Sequence, residues 1–202
     1  MLTRRSALAL SFAALIVPAK AEAQKIPVVA SFSIIGDLAR NVGGDRVSVT
    51  TIVGPDGDAH VYQPSPADGR RIAQARLIFV NGLGFEGWLD RLMRAAKSKG
   101  EVFTLGNGIA ARKEEEGQDP HAWQDVANAK VYVEAIREAL TAADPEGAQT
   151  YKANADAYLA KLDALDAEIL QTIAALPKER RRVVSTHDAF GYFSARYGVE
   201  FI

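Results

Sequence analysis

The chain carries only three imidazoles, His60, His121 and His187, in its 202 residues. Imidazole is a base, a proton shuttle and a borderline nitrogen ligand. Three of them aimed at one point would hold Zn2+ and would also accept Mn, Fe, Ni or Cu. There is no cysteine, which excludes disulfides, thiolate metal sites and a cysteine nucleophile. With two methionines, one of them Met1, a soft Cu(I) site is a poor fit. Three histidines in a chain of this length is near ordinary usage, and no HExxH motif is present. Spacing alone therefore leaves surface and core roles open as well.

The elements that must position these residues read as an α/β fold. Ile26 to Phe32 is an apolar, β-branched run and predicts a buried strand, with a helix from Ser33, as its cap, to Val42. Strands follow at 46–53, 77–81 and 101–105, with helices at 66 onward and 85–97. Ser65-Pro66-Ala67-Asp68 opens the first of these helices with an N-cap, a proline at the first position and an acid in the first turn. Such β-α alternation implies a parallel sheet with helices on both faces. His60 lies in the loop after the second strand and His121 in the loop after the fourth. His187 directly follows a further strand at 182–186. In open parallel sheets, ligands gather at the carboxyl ends of the strands, where all three loops belong.

The helix at 128–143 is followed by a longer one. Tyr151, Ala155, Tyr158, Leu162, Leu165, Ile169 and Leu176 form one apolar stripe. From Pro145 to Ala175 that helix would be about 45 Å long, suiting a strut between two lobes better than a crossover helix. After Pro177 a new β/α unit begins, with a helix at 190–197 and a strand from Val199. Two strands and one helix cannot bury their own faces, so the natural protein is expected to continue beyond Ile202. The organisation read from the sequence is thus a signal peptide (1–23), an N-terminal β/α lobe (24–143), a linker helix (144–176) and the start of a C-terminal β/α lobe (177–202).

Four segments carry a resemblance. Asp58-Ala59-His60-Val61-Tyr62-Gln63-Pro64-Ser65-Pro66-Ala67-Asp68, Asp119-Pro120-His121-Ala122-Trp123 and Ser185-Thr186-His187-Asp188-Ala189-Phe190-Gly191-Tyr192-Phe193 resemble, in order, the three ligand segments of the cluster A-I (zinc/manganese) solute-binding proteins of ABC importers. Asn81-Gly82-Leu83-Gly84-Phe85-Glu86-Gly87-Trp88-Leu89 resembles that family's segment after the third strand. The likeness runs from about Ile26 to the last residue. It implies two parallel-sheet β/α lobes joined by one long rigid helix, the second incomplete here. Metal would sit at the cleft, on His60 and His121 from the first lobe and His187 from the second. The family's fourth ligand, an Asp or Glu, would lie beyond Ile202. It further implies no catalysis, but delivery of the ion to a membrane permease.

Zinc is preferred over manganese, because three imidazoles offer only nitrogen and Mn2+ prefers oxygen. The acidic run Glu114-Glu115-Glu116, in a loop where many zinc members carry histidines, weighs slightly the other way; it is read as solvated. Asp58, Glu86, Asp119 and Asp188 are candidates to accept the second imidazole N–H of a ligand histidine, which would set its tautomer. Trp88, Trp123 and Phe190 are candidates to wall the cleft.

Residues 1–23 read as a secretory signal: Arg4-Arg5, a short apolar run, and small residues around Ala21 and Ala23. Thr3-Arg4-Arg5-Ser6 also resembles a weak twin-arginine signal. The apolar run is about half of the roughly 20 residues that span a bilayer. No cysteine follows to take a lipid anchor. A monomeric periplasmic protein is expected. The net charge of −1 gives no reason to expect nucleic acid as a partner. The main alternative is an exported three-histidine zinc hydrolase or lyase, with a Mn2+-specific binding protein of the same family beside it. An adhesin that keeps the fold is a third reading. No GxGxxG follows the first strand, which argues against a dinucleotide site.

Overall fold

The computed structural model describes residues 24–114 and 117–202, so the signal-peptide reading lies outside the described residues, as do Glu115 and Glu116 of the acidic run. Four parallel strands form the main sheet: β1 (Ile26–Phe32), β2 (Val47–Val53), β3 (Leu77–Val80) and β4 (Glu101–Thr104), in the order β2-β1-β3-β4. Every residue of β1 except Pro27 is buried, and β3 is buried throughout. Strands covered on both faces are expected to be almost continuously apolar, and these are, apart from Ser31 of β1. Helix α1 (Ser33–Gly43) joins β1 to β2 and turns Ile35, Leu38, Ala39 and Val42 inward. Helices α2 (Pro66–Gln74) and α3 (Leu89–Ala96) pack on one another, while α4 (Val126–Ala143) and α5 (Ala148–Ala174) pack with α1. The chain leaves β1 toward β2 and later turns the other way from β3 toward β4. The switch point between β1 and β3 is where such a sheet opens a crevice.

Several boundaries differ from the sequence reading for local reasons. Ser33 is the first helical residue and not a cap; α1 has no side-chain cap. Ser65 does cap α2, in a reciprocal box with Asp68. Helix α3 begins at Leu89 instead of Phe85, because Gly82, Leu83 and Gly84 all adopt positive φ and turn the chain first. Asp125 caps α4 by accepting from the Ala127 N–H, so that helix starts two residues earlier. The loop at 106–120 contains an antiparallel pair, β5 (Lys113–Glu114) and β6 (Gly117–Gln118).

Helix α5 has 27 residues and so is about 40 Å long. Its first half is seated: Tyr151, Ala155 and Leu162 are buried, and Tyr151 donates to Asp144, which also pairs with Arg46. The apolar stripe read along it is not covered throughout, since Leu165 and Leu176 are exposed. Beyond it, β7 (Arg182–Val183), α6 (Gly191–Tyr197) and β8 (Glu200–Phe201) form a parallel β-α-β unit. The strand read at 182–186 shortens to two residues. Helix α6 is tied back to the rest: Tyr197 donates to Asp166 of α5, and Arg196 pairs with Asp166 and with Asp125.

Candidate metal centre

The loops that leave β2, β4 and β7 bring His60, His121 and His187 to one place. The Nε2 atoms of His60 and His121 are 3.0 Å apart, and those of His187 and His121 are 3.3 Å apart. One ligand atom from each lies within 4.8 Å of the others. His121 is buried at 4% exposure, whereas His60 and His187 are exposed at the mouth of a cavity of about 440 Å³.

Each histidine is held from its own side. The Asp58 carboxylate accepts the His60 main-chain N–H, and the Ala59 carbonyl accepts from the Trp88 indole at 2.8 Å, pinning this loop to the start of α3. A few residues on, the Tyr62 hydroxyl donates to Asp68 in the cap of α2. The Asp119 Oδ1 atom accepts both the main-chain N–H and the ring Nδ1 of His121, each at 2.9 Å. A carboxylate only accepts, so Nδ1 carries the proton and Nε2 presents a lone pair to the cluster. The Pro120 carbonyl accepts from the Asn81 amide, and the Asn81 oxygen accepts from Tyr132 of α4. His187 sits in a Ser185 turn, where the hydroxyl accepts from the His187 N–H and donates to its carbonyl. Phe32, Phe85 and Trp123 form an aromatic wall, with Phe85 against His60 and Trp123 against His121.

Of the four carboxylates proposed to face imidazoles, Asp119 does so. Asp58 supports the main chain only. Glu86 accepts from Ser31 and from the N–H groups of Asn81 and Gly82, closing the crevice between β1 and β3. Asp188 makes no hydrogen bond to an imidazole among the described residues, nor does it cap α6. Trp123 walls the site and Phe190 lines the cavity while stacking on Phe201, but Trp88 acts through its indole N–H one layer away. Sequence reasoning missed Asn81 and Tyr192 as supports. A polar residue directly after a fully buried strand was a signal for Asn81; nothing local marked Tyr192.

Burial lowers the pKa of His121, with the Asp119 bond opposing it, and burial lowers that of His60 as well, with Asp58 opposing it. Burial pushes the Glu86 carboxyl above its usual range, against the pull of its three donors. Neutral imidazoles are the form that binds a metal.

The family described as ZnuA, zinc-uptake complex component A periplasmic, matches residues 28–202. The chain belongs to this ZnuA family. Among its relatives, the manganese-binding lipoprotein MntA of Halalkalibacterium halodurans is 41% identical over 89% of this chain and 60% of its own length. The iron-binding protein YfeA of Yersinia pestis is 38% identical over 87% of the chain and 58% of its own length. A Mn-bound periplasmic metal-binding protein from Candidatus Liberibacter asiaticus superposes with a TM-score of 0.80 at 35% identity, over 88% of this chain and 68% of that one. The chain therefore spans about 60% of the length of these first two ZnuA-family relatives. Its parallel sheet and long helix are the architecture of the family. Relatives in the ZnuA family are named as metal-binding and substrate-binding proteins, not as enzymes. Their names divide among manganese, iron and zinc.

Proposed function

We propose that this protein captures a divalent transition-metal ion outside the cytoplasm, on His60, His121 and His187, and delivers it to the membrane permease of an ABC importer. One observation carries the reading: one ring nitrogen from each histidine lies within 4.8 Å of the others, and the opposite nitrogen of the buried His121 is committed to Asp119. Two nitrogens bound at about 2.05 Å to one tetrahedral ion lie about 3.3 Å apart, and the observed separations from His121 are 3.0 and 3.3 Å. Lone pairs facing each other at this distance repel, and a cation among them turns repulsion into coordination. Membership of a zinc-uptake family and relatives named as ABC substrate-binding proteins support the delivery role. On this reading, residues 24–143 are the metal-binding lobe, 144–176 the linker helix and 177–202 the start of a second lobe. The protein is exported, monomeric and without nucleic acid as a partner.

The ion we assign is zinc, because three imidazole nitrogens match its preference better than that of manganese. The 41% identity to a manganese-binding relative favours Mn2+ as the second reading, and an added carboxylate ligand would shift the balance that way. Hydrolysis fits less well. Glu86 is engaged by Ser31 and two main-chain N–H groups, and Asp119 by the His121 ring and main chain, which leaves neither free as a general base. Native mass spectrometry with Zn2+ and Mn2+ in competition tests the assignment. One zinc per monomer is expected; retention of manganese alone would overturn the zinc assignment. A His121→Ala protein that titrates metal unchanged would overturn the site.

A further inference from the structure

Tyr192 lies in α6, five residues after His187, and its hydroxyl reaches across to the segment that carries His121. It accepts from the Arg112 main-chain N–H at 3.0 Å and donates to the Asp119 carbonyl at 3.1 Å. Arg112 and Asp119 are themselves paired, since the Asp119 N–H donates to the Arg112 carbonyl at 3.0 Å. These two residues close the base of the β5–β6 hairpin, and the Tyr192 hydroxyl bridges them. The ring lies under the Arg112 guanidinium, 5.7 Å from its centroid, and is 5% exposed. The preceding residue, Gly191, comes so close that a Cβ there would stand 2.6 Å from Asp119 Oδ2 and 2.9 Å from Arg112 Nε. The N-terminus of α6 is thus seated on the main chain that places Asp119, and through Asp119 the His121 ring.

We propose that Tyr192 is a positioning residue that latches the His187 segment to the His121 segment and so sets how long a bound ion is retained. The proposal rests on the assignment of the three histidines as metal ligands. The His187 turn has few ties of its own to the β1–β4 sheet, since Ser185 and Ala189 bond to His187 itself or to Ile202. Without the hydroxyl, the bridge between the His187 segment and the Arg112–Asp119 main chain is lost, while α6 keeps its bonds to Asp125, Val126 and Asp166 farther from the histidines. An ion shared by two segments leaves when they part, so the effect falls on dissociation.

The test is the rate of zinc release into excess chelator, followed by stopped flow, for the parent protein and for Y192F, which keeps the ring. Release is expected to rise about tenfold, the lower end of what disturbing the groups that orient a metal-bound imidazole produces. Y151F is the stability control: it deletes a buried tyrosine hydroxyl bonded to Asp144, away from the histidines. A structural effect would speed release in both variants in proportion to lost thermal stability, and that result overturns the latch. In an H187A background, Y192F is expected to add nothing further; full additivity also overturns it. Loss of zinc binding in H121A with unchanged release in Y192F sinks the latch alone, whereas unchanged binding in H121A sinks the ligand assignment beneath it.

Discussion

The ring Nδ1 of His121 and its main-chain N–H converge on the same oxygen of Asp119, each at 2.9 Å, in a place where Asp119 is 1% exposed. One carboxylate oxygen therefore sets both the tautomer and the orientation of the ring. Asp119→Asn keeps the volume but removes the charge and lets an amide N–H point at Nδ1. Metal affinity is expected to fall about tenfold to a hundredfold, measured by competition with a chromogenic chelator. Unaltered affinity would remove Asp119 from the account of how the site is organised.

Acid acts on the metal-free fold through the same rings. His60 and His121 have pKa values lowered by burial, so between those values and the ordinary value of about 6.5 the unfolded chain binds more protons. Stability contributed by these rings is complete above the unfolded value and is lost as pH falls toward the folded ones. Thermal melts of the metal-free protein over about pH 5–8 are expected to show this decline. His121→Ala should flatten it, and identical slopes in the two proteins would contradict the prediction.

Glu86 serves the backbone. Its two oxygens take the Ser31 hydroxyl and the N–H groups of Asn81 and Gly82, just where the chain turns through three positive-φ residues. Glu86→Gln leaves one oxygen for these donors and places an amide against the rest. A loss of about 1–3 kcal/mol in urea unfolding is expected, the usual penalty for a buried donor left unmet. A change below about half a kcal/mol would mean that water replaces the lost acceptor.

The long helix is anchored by Asp144. Burial raises its carboxyl, but the bonds from Tyr151 and Arg46 outweigh that and hold it below the usual range. Because the folded value is depressed, this stabilisation is present above the unfolded value of about 3.9 and fades as pH falls through the folded one. Asp144→Asn is expected to remove about 1 kcal/mol near neutral pH, with the difference from the parent vanishing in strong acid. Urea titrations at two pH values measure it, and a gap that persists in acid would point to packing instead of charge.

The amino-acid order by itself determined the parallel α/β class, the position of each histidine after a strand, the capping box of α2 and the existence of a long helix. These follow from local causes: near-continuous apolarity of strands buried on both faces, the short polar side chain of Ser65 ahead of a proline, and helical spacing kept up from Tyr151 onward. It also singled out Asp119, but not its difference from Asp58, Glu86 and Asp188, because four carboxylates near histidines look alike until the chain is folded. Only the tertiary structure decided that Asp119 faces an imidazole and that Glu86 serves the turn after β3. The Tyr192 bridge to Arg112 and Asp119 spans 80 and 73 residues, and no pattern within a helix or strand reaches that far. Periodicity reports which face of an element is buried. Which partner that face meets depends on how the elements pack, and the packing places His187 beside His121.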